Sequence, residues 1–294
     1  MEKLSLSRKY KGILLFLGVS LGAAVVLKRL FSRKPHSALR QLINSLNPGS
    51  IEKIRTYEES VLESEINFIV FVRDQETSKP KRGAKVTNPF LYPFEPGILI
   101  KNFSDKYRLL FNKYPVIDKH MLLVTFQFEK QSDPLTKEDL DQVYKVITDI
   151  DGFAFFNSGE HSGYSQEHKH MQVIPYSGMP RFPLENIVQG SMQEGPFTIE
   201  AFEFKHFFHS INSSDELFVI YTKLLNLLMP YSYNLIITQN WMLMVSRAKE
   251  RSYNKFDLNS VAYAGLLMVR NQEELRFIKE VGPLQVLKDA AMKD

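Results

Sequence analysis

The sequence predicts an α+β fold built on an antiparallel sheet, and three observations carry that reading. Apolar runs of strand length recur, as at residues 66–72, 121–128 and 153–157. Several follow one another as hairpin-like neighbours, without the strict strand–helix alternation of a doubly wound fold. Apolar residues at helical spacing mark fewer segments, such as the one opening at Thr136, where Leu140, Val143, Tyr144 and Ile147 share a face.

The elements follow in chain order. Residues 1–50 form a basic leader: up to residue 51 there are nine Lys/Arg and one acid, so residues 52–294 hold 28 basic and 32 acidic residues. The body is therefore acidic by about four charges, which argues against a nucleic-acid partner. Within the leader, residues 12–27 are sixteen positions without a charge, between basic flanks. They predict a membrane helix over residues 12–31 and a single-pass anchored enzyme with a soluble catalytic domain. A cleaved secretory or mitochondrial leader is the alternative.

Residues 51–65, charged with apolar positions at helical spacing, predict a helix, and 66–72 a buried strand. The Lys-, Pro- and Gly-rich stretch 73–97 is long for a connection and reads as a binding loop or lid. Strands are expected at 97–103, 121–128, 153–157 and 168–176, with a Gly/Ser-rich turn at 158–166. Pro180, Pro183, Gly190, Gly195 and Pro196 punctuate a link, which divides an N-terminal region, 51–190, from a C-terminal one, 191–294. The latter predicts strands at 204–211, around 233–245 and near 264–270, with helices at 215–229 and after Asn271.

Chemistry concentrates at residues 157–172. Cysteine is absent, which excludes a disulfide scaffold, a Cys-ligated zinc and a thiol nucleophile. On a strand, His168, His170 and Gln172 share a face. Two imidazoles and an amide admit three readings: a metal site, nucleophilic attack on phosphorus, or two satisfied structural histidines. A metal needs a third or fourth ligand, and no neighbouring carboxylate has a claim. A neutral imidazole is available at neutral pH and forms a reactive phosphoramidate. The preceding Asn157-Ser158-Gly159 to Ser165-Gln166 turn offers backbone donors suited to a phosphate. Together, turn and strand point to nucleotidyl transfer.

These residues resemble the fungal-type ATP adenylyltransferases, the diadenosine tetraphosphate phosphorylases of the histidine-triad superfamily. The resemblance takes in Asn112-Lys113-Tyr114-Pro115, Ser132-Asp133-Pro134-Leu135-Thr136, Asn157-Ser158-Gly159 and Ser165-Gln166-Glu167-His168-Lys169-His170-Met171-Gln172. It continues through Tyr233-Asn234-Leu235, Trp241-Met242, Ser246-Arg247, Ala264-Gly265-Leu266 and Gly282-Pro283-Leu284. The related galactose-1-phosphate uridylyltransferases have Pro between the two histidines, so Lys169 favours the adenylyl branch.

The resemblance implies a histidine-triad-like antiparallel sheet with flanking helices, following the leader helix. It implies phosphorolysis of diadenosine tetraphosphate by inorganic phosphate to ATP and ADP through an adenylyl-histidine, with Mg²⁺ on the nucleotide and no protein-ligated metal. His170 matches the nucleophile, His168 a supporting neighbour, and Gln172 the ligand of a non-bridging α-phosphate oxygen. Asn157, Gly163, Tyr164, Ser165 and Gln166 match nucleotide and phosphate contacts. Asn112, Lys113, a loop lysine (Lys79, or else Lys81), Asn259, Leu266 and Arg270 match further substrate contacts. Asn112-Lys113 also suits turn chemistry, and Leu266 a core. Tyr164 stands where a small residue is usual, and Arg270 replaces a lysine. Another nucleotidyl transferase, with a sugar phosphate or sulfate acceptor, and a membrane-tethered nucleotide sensor are the competing functions.

Overall fold

Backbone pairing organises the protein around one large sheet. The computed structural model describes residues 37–47, 49–74, 88–179, 182–229 and 232–293. Helix α1 (Ala38–Ser45) lies within the expected leader and buries Leu39 and Ile43. Strands β1 (Thr56–Glu63) and β2 (Ile66–Arg73) form a hairpin, and β3 (Leu99–Phe103), β4 (Tyr107–Phe111) and β5 (Met121–Thr125) a meander. Helix α2 (Lys137–Ile150) leads into β6 (Gly152–Ser158) and β7 (His170–Pro175), and α3 (Glu185–Ser191) lies in the expected link. Then come β8 (Pro196–Phe197), β9 (His206–Ser210), α4 (Leu217–Leu228), β10 (Tyr233–Ile237) and β11 (Trp241–Ser246). The chain ends with β12 (Arg251–Ser252), β13 (Phe256–Asp257), β14 (Leu266–Val269), α5 (Gln272–Val281) and α6 (Pro283–Ala290).

The nine-stranded sheet runs β3-β4-β5-β7-β6-β10-β11-β9-β8, antiparallel throughout. At its centre β6 pairs with β10, so regions 51–190 and 191–294 contribute to one sheet. Strand alternation gives it two faces. One buries Leu123, Met171, Ala154, Leu235 and Met242 under α2 and α4. The other carries Phe155, Ile236, Leu243 and Phe208 into a core shared with the smaller sheet β1-β2-β14. On that second face, over β4 and β5, a separate apolar cluster gathers Phe90, Ile98, Leu110 and Val124. His170 and Gln172 lie between these two cores, because their partners across the ladders are Val124, Leu122 and Phe155.

Local chemistry explains α2. Thr136 caps it, accepting from the Asp139 amide while the Asp139 carboxylate accepts from the Thr136 amide, a capping box of about 1 kcal/mol. Asp139 is fully buried and also accepts from the Tyr107 hydroxyl at 2.6 Å.

Two expectations are corrected. Residues 51–65 do not form a helix; Thr56–Glu63 is an edge strand paired with β2 through a turn at Ser64 and Glu65, both at positive φ. The helix-like charge pattern serves tertiary partners instead. Lys279 of α5 pairs with Glu59 at 3.1 Å, and the Leu284 amide of α6 donates to Glu63 at 2.8 Å. The single-pass anchor is the second. Residues 12–31 lie outside the described residues, and among those described no helix is long and apolar enough to cross a membrane.

Candidate active site

His170 opens β7 and is 4% exposed. Its Nδ1–H donates to the His168 carbonyl at 2.8 Å, which fixes the tautomer and leaves Nε2 with the lone pair. Among the described residues this is the ring's one hydrogen bond. His206 provides an internal contrast. Its Nδ1 also donates to the carbonyl two residues back, Phe204, at 2.7 Å, but its Nε2 accepts from the Ile199 amide at 3.1 Å. His206 is a satisfied core histidine; His170 keeps a nucleophilic nitrogen.

The strand geometry around His170 is held by Gln131, which sequence reasoning missed. The β6–β7 ladder stops at Phe155 and Gln172. Beyond that point Gln131, 1% exposed, bridges the strands: its Oε1 accepts from the His170 amide at 2.8 Å, and its Nε2 donates to the carbonyls of Asn157 at 2.9 Å and His170 at 3.2 Å.

His168 is a supporting neighbour with both nitrogens used. Nε2–H donates to the Gln127 carbonyl at 3.0 Å, and Nδ1 accepts from Asn88 Nδ2 at 2.9 Å. Asn88 is oriented by the Phe90 amide, which donates to its Oδ1. Phe90 itself sits 5.8 Å from the His168 ring and 5.1 Å from that of His170. The C-terminal part of the expected binding loop therefore covers both histidines. Lys169 points to the opposite face, pairing with Glu129 at 2.7 Å and lying 3.7 Å from Asp139 of α2.

Burial, through desolvation, pushes the His170 pKa down to about 4, with the His168 carbonyl opposing the shift. The unfolded imidazole takes its proton near 6.5 and the folded one near 4. This histidine's contribution to stability is thus fully present above pH 6.5 and is lost as pH falls through 4. An NMR titration should place the His170 midpoint near 4; a midpoint of 6–7 would show a solvated ring.

The preceding turn is pinned from the C-terminal region. Asn157 Oδ1 accepts from Asn234 Nδ2 at 2.8 Å and from the Ser260 amide and hydroxyl at 3.0 and 2.7 Å. Asn234 also donates to the Ser162 carbonyl at 2.9 Å. Behind it, the buried Arg247 donates to Asn234 Oδ1 at 2.5 Å and to the Leu258 carbonyl at 3.0 Å. Gly163 packs against that same carbonyl with φ +81°. Asn259 is adjacent, capping the 3-10 helix Ser260–Ala264. Tyr164 is half-buried and turns its hydroxyl toward Glu167 at 3.4 Å, while Ser165 is exposed and Gln166 half-buried.

The structure thus brings His168, His170, Gln172, Asn157, Gly163 and Asn259 together. The other expected contacts are engaged elsewhere. Asn112 accepts from the Tyr114 amide at 3.0 Å and donates to His120 Nδ1 at 3.1 Å, the turn chemistry its sequence allows. Lys113 pairs with Glu95 at 2.6 Å, tying down the Phe90 segment. Leu266 is core, on the smaller sheet. Arg270 is bound by Glu274 at 2.7 Å and by the Lys255 carbonyl at 2.8 Å. Lys79 and Lys81 lie outside the described residues. Among the described residues no group of three or more His, Asp or Glu could hold a metal ion.

Comparisons with known proteins place the chain in a family. Residues 33–190 match the family model described as the Ap4A phosphorylase N-terminal domain, and 200–293 that of the ATP adenylyltransferase C-terminal domain. In Saccharomyces cerevisiae, diadenosine 5',5'''-P1,P4-tetraphosphate phosphorylase 2 is 28% identical, the match covering 67% of this chain and 73% of the relative. Protein APA1 of the same yeast is 30% identical, over 69% and 75%. The crystal structure of yeast Ap4A phosphorylase Apa2 with Ap4A shares the fold, with TM-score 0.75, 23% identity and coverage of 87% of this chain and 98% of that one. The complex of the same enzyme with AMP gives 0.73, 24%, 87% and 98%. The family match begins at residue 33, past the apolar run, so it lends no anchoring role to residues 12–31, and the single-pass localisation is withdrawn.

Proposed function

The chain belongs to the Ap4A phosphorylase and ATP adenylyltransferase family, and from that membership we propose that it phosphorolyses diadenosine tetraphosphate (Ap4A) to ATP and ADP. The observation that carries the reading is the clamped His170: Nδ1–H bound to the His168 carbonyl, Nε2 left with its lone pair.

In the first step Nε2 attacks the α-phosphorus of one adenosine, the P–O bond to the rest of the chain breaks, and ATP departs. An adenylyl-histidine remains. In the second an oxygen of inorganic phosphate attacks the same phosphorus, the P–N bond breaks, and ADP leaves with His170 restored. Splitting the transfer avoids bringing phosphate and a highly anionic substrate together at once. Gln172, on the His170 face, would donate to a non-bridging oxygen, and the turn residues Asn157, Gly163, Tyr164, Ser165 and Gln166 would supply further contacts. Asn259, adjoining Gly163, completes that side. In this reading Asn112, Lys113 and Arg270 reach the substrate only by exchanging their present partners, and Lys79, which lies outside the described residues, would be a further phosphate contact. Mg²⁺ would travel on the nucleotide's phosphates and lower their charge, since the amides and histidines of the site are no carboxylate cage.

The test is acceptor dependence. With Ap4A alone turnover should be slow; added phosphate should accelerate it at least ~10-fold, give ATP and ADP in equal amounts, and show ping-pong kinetics. Labelled phosphate should enter the β-position of ADP and not ATP. AMP and ATP as products, indifferent to phosphate, would make water the acceptor and overturn the proposal.

A further inference from the structure

Arg108, the second residue of β4, is a buried cation without a counter-ion among the described residues. It is 6% exposed, and its guanidinium lies 3.9 Å from the centroid of the Phe126 ring and 5.0 Å from that of Phe94. Its hydrogen bonding among the described residues amounts to one contact with the Phe126 carbonyl at 3.5 Å, at the limit of a useful bond. Nε is buried without a partner. Burial lowers the pKa of the group, and no carboxylate among the described residues offsets the shift. A guanidinium has five donors. The two aromatic faces compensate for part of the lost hydration, but nothing among the described residues uses those donors well.

Register fixes where this cation lies. Arg108 stands opposite Val124, and Val124 opposite His170. The two side chains therefore share a face, their backbones two strand spacings apart, roughly 10 Å. Stacking on Phe126 carries the guanidinium past the end of β5 toward His168. Burial chiefly lowers the pKa of the His168 ring, and the nearby Arg108 charge adds to that shift. The Gly/Ser turn enters the site at this same end of the strands, immediately before His168. The turn and Arg108 thus lie on either side of the histidines.

We propose that Arg108 is an anion anchor of the nucleotide site, its guanidinium binding a phosphate of the substrate's chain other than the one His170 attacks. The planar fork matches two phosphate oxygens, and the aromatic walls exclude the water that would otherwise weaken the pair. Phe90 packs over Val124 between the two side chains, so a phosphate chain reaches both of them only as the Phe90 segment shifts. The identity of the anion as a nucleotide phosphate rests on the function proposed above; the presence of an anion site does not.

Inorganic tripolyphosphate, titrated calorimetrically into the full chain without nucleotide or turnover, tests the anchor. Wild type should bind it, and Arg108→Met should bind it at least ~10-fold more weakly. The same variant should melt about 2–4 °C higher in the absence of ligand, because an apolar chain of similar length replaces an unpaired buried charge. Arg108→Lys keeps the charge but loses fork and stack, and should bind with intermediate affinity. Tripolyphosphate binding unchanged in Arg108→Met, or a lower melting temperature for it, would make Arg108 a structural cation and overturn the proposal. If Arg108→Met does not fold, Arg108→Lys decides by itself: wild-type affinity overturns the proposal, reduced affinity supports it. No binding by wild type also overturns it. A chain that binds tripolyphosphate through Arg108 yet makes no ATP and ADP from Ap4A would overturn the reaction and leave the anchor standing.

Discussion

His170→Ala should form no adenylyl-enzyme and lose phosphorolysis by at least ~10⁴-fold, because covalent catalysis disappears with its nucleophile. The fold should tolerate the change. The His170 amide, held by Gln131, and the His168 carbonyl both belong to the backbone and survive truncation of the ring. His168→Ala is the informative contrast. It removes the ring that joins Asn88 to Gln127, so the covering Phe90 segment loosens while the clamping carbonyl stays. That variant should still accumulate the adduct, more slowly. Mass spectrometry after brief exposure to Ap4A decides the matter: an AMP adduct that persists in His170→Ala would remove this residue from its role.

Gly163→Ala should carry the second large effect. A Cβ there would overlap the Leu258 carbonyl oxygen, well inside 3.0 Å, and φ is +81°. Strain in the left-handed region contributes about 1–2 kcal/mol. The overlap adds to it, since Leu258 is itself fixed through Arg247. A total of about 3 kcal/mol should lower the melting temperature by roughly 6–10 °C. A turn displaced by about 1 Å should slow adduct formation some 100-fold even where the protein stays folded. Gly195→Ala separates the two causes, because Gly195 has φ +85° and open space around it. It should show the strain alone and leave activity intact. Equal melting temperatures for the two variants would mean that the Leu258 contact yields freely.

The family and the antiparallel α+β fold were legible in the sequence, as was the strand that carries the proposed nucleophile, because they rest on short-range patterns. A period-two strand with histidines at 168 and 170 and glutamine at 172 needs no distant partner to align those side chains. The Gly/Ser turn before it and the Thr136 cap are likewise local. Residues 51–65 misled for the same reason: helical spacing was present, but pairing with β2 and contacts from α5 and α6 overrode it. The uncharged run in the leader suggested an anchor through composition alone, with no partner to test it.

Sequence by itself thus singled out His170 as the candidate nucleophile. Tertiary structure decided what surrounds it. Gln131 fills a gap that exists only because β6 and β7 part after Phe155, and Asn157 is immobilised by residues 77 and 103 positions away in the chain. Lys113 and Arg270 read alike as free cations in a sequence, yet each is taken by a carboxylate. Arg108, a lone charge inside an apolar strand, is left without an ion-pair partner among the described residues. The physical reason is that hydrogen bonds and ion pairs act over only a few ångströms. Which groups come within that range is set by register between strands far apart in sequence, and a local pattern cannot encode it.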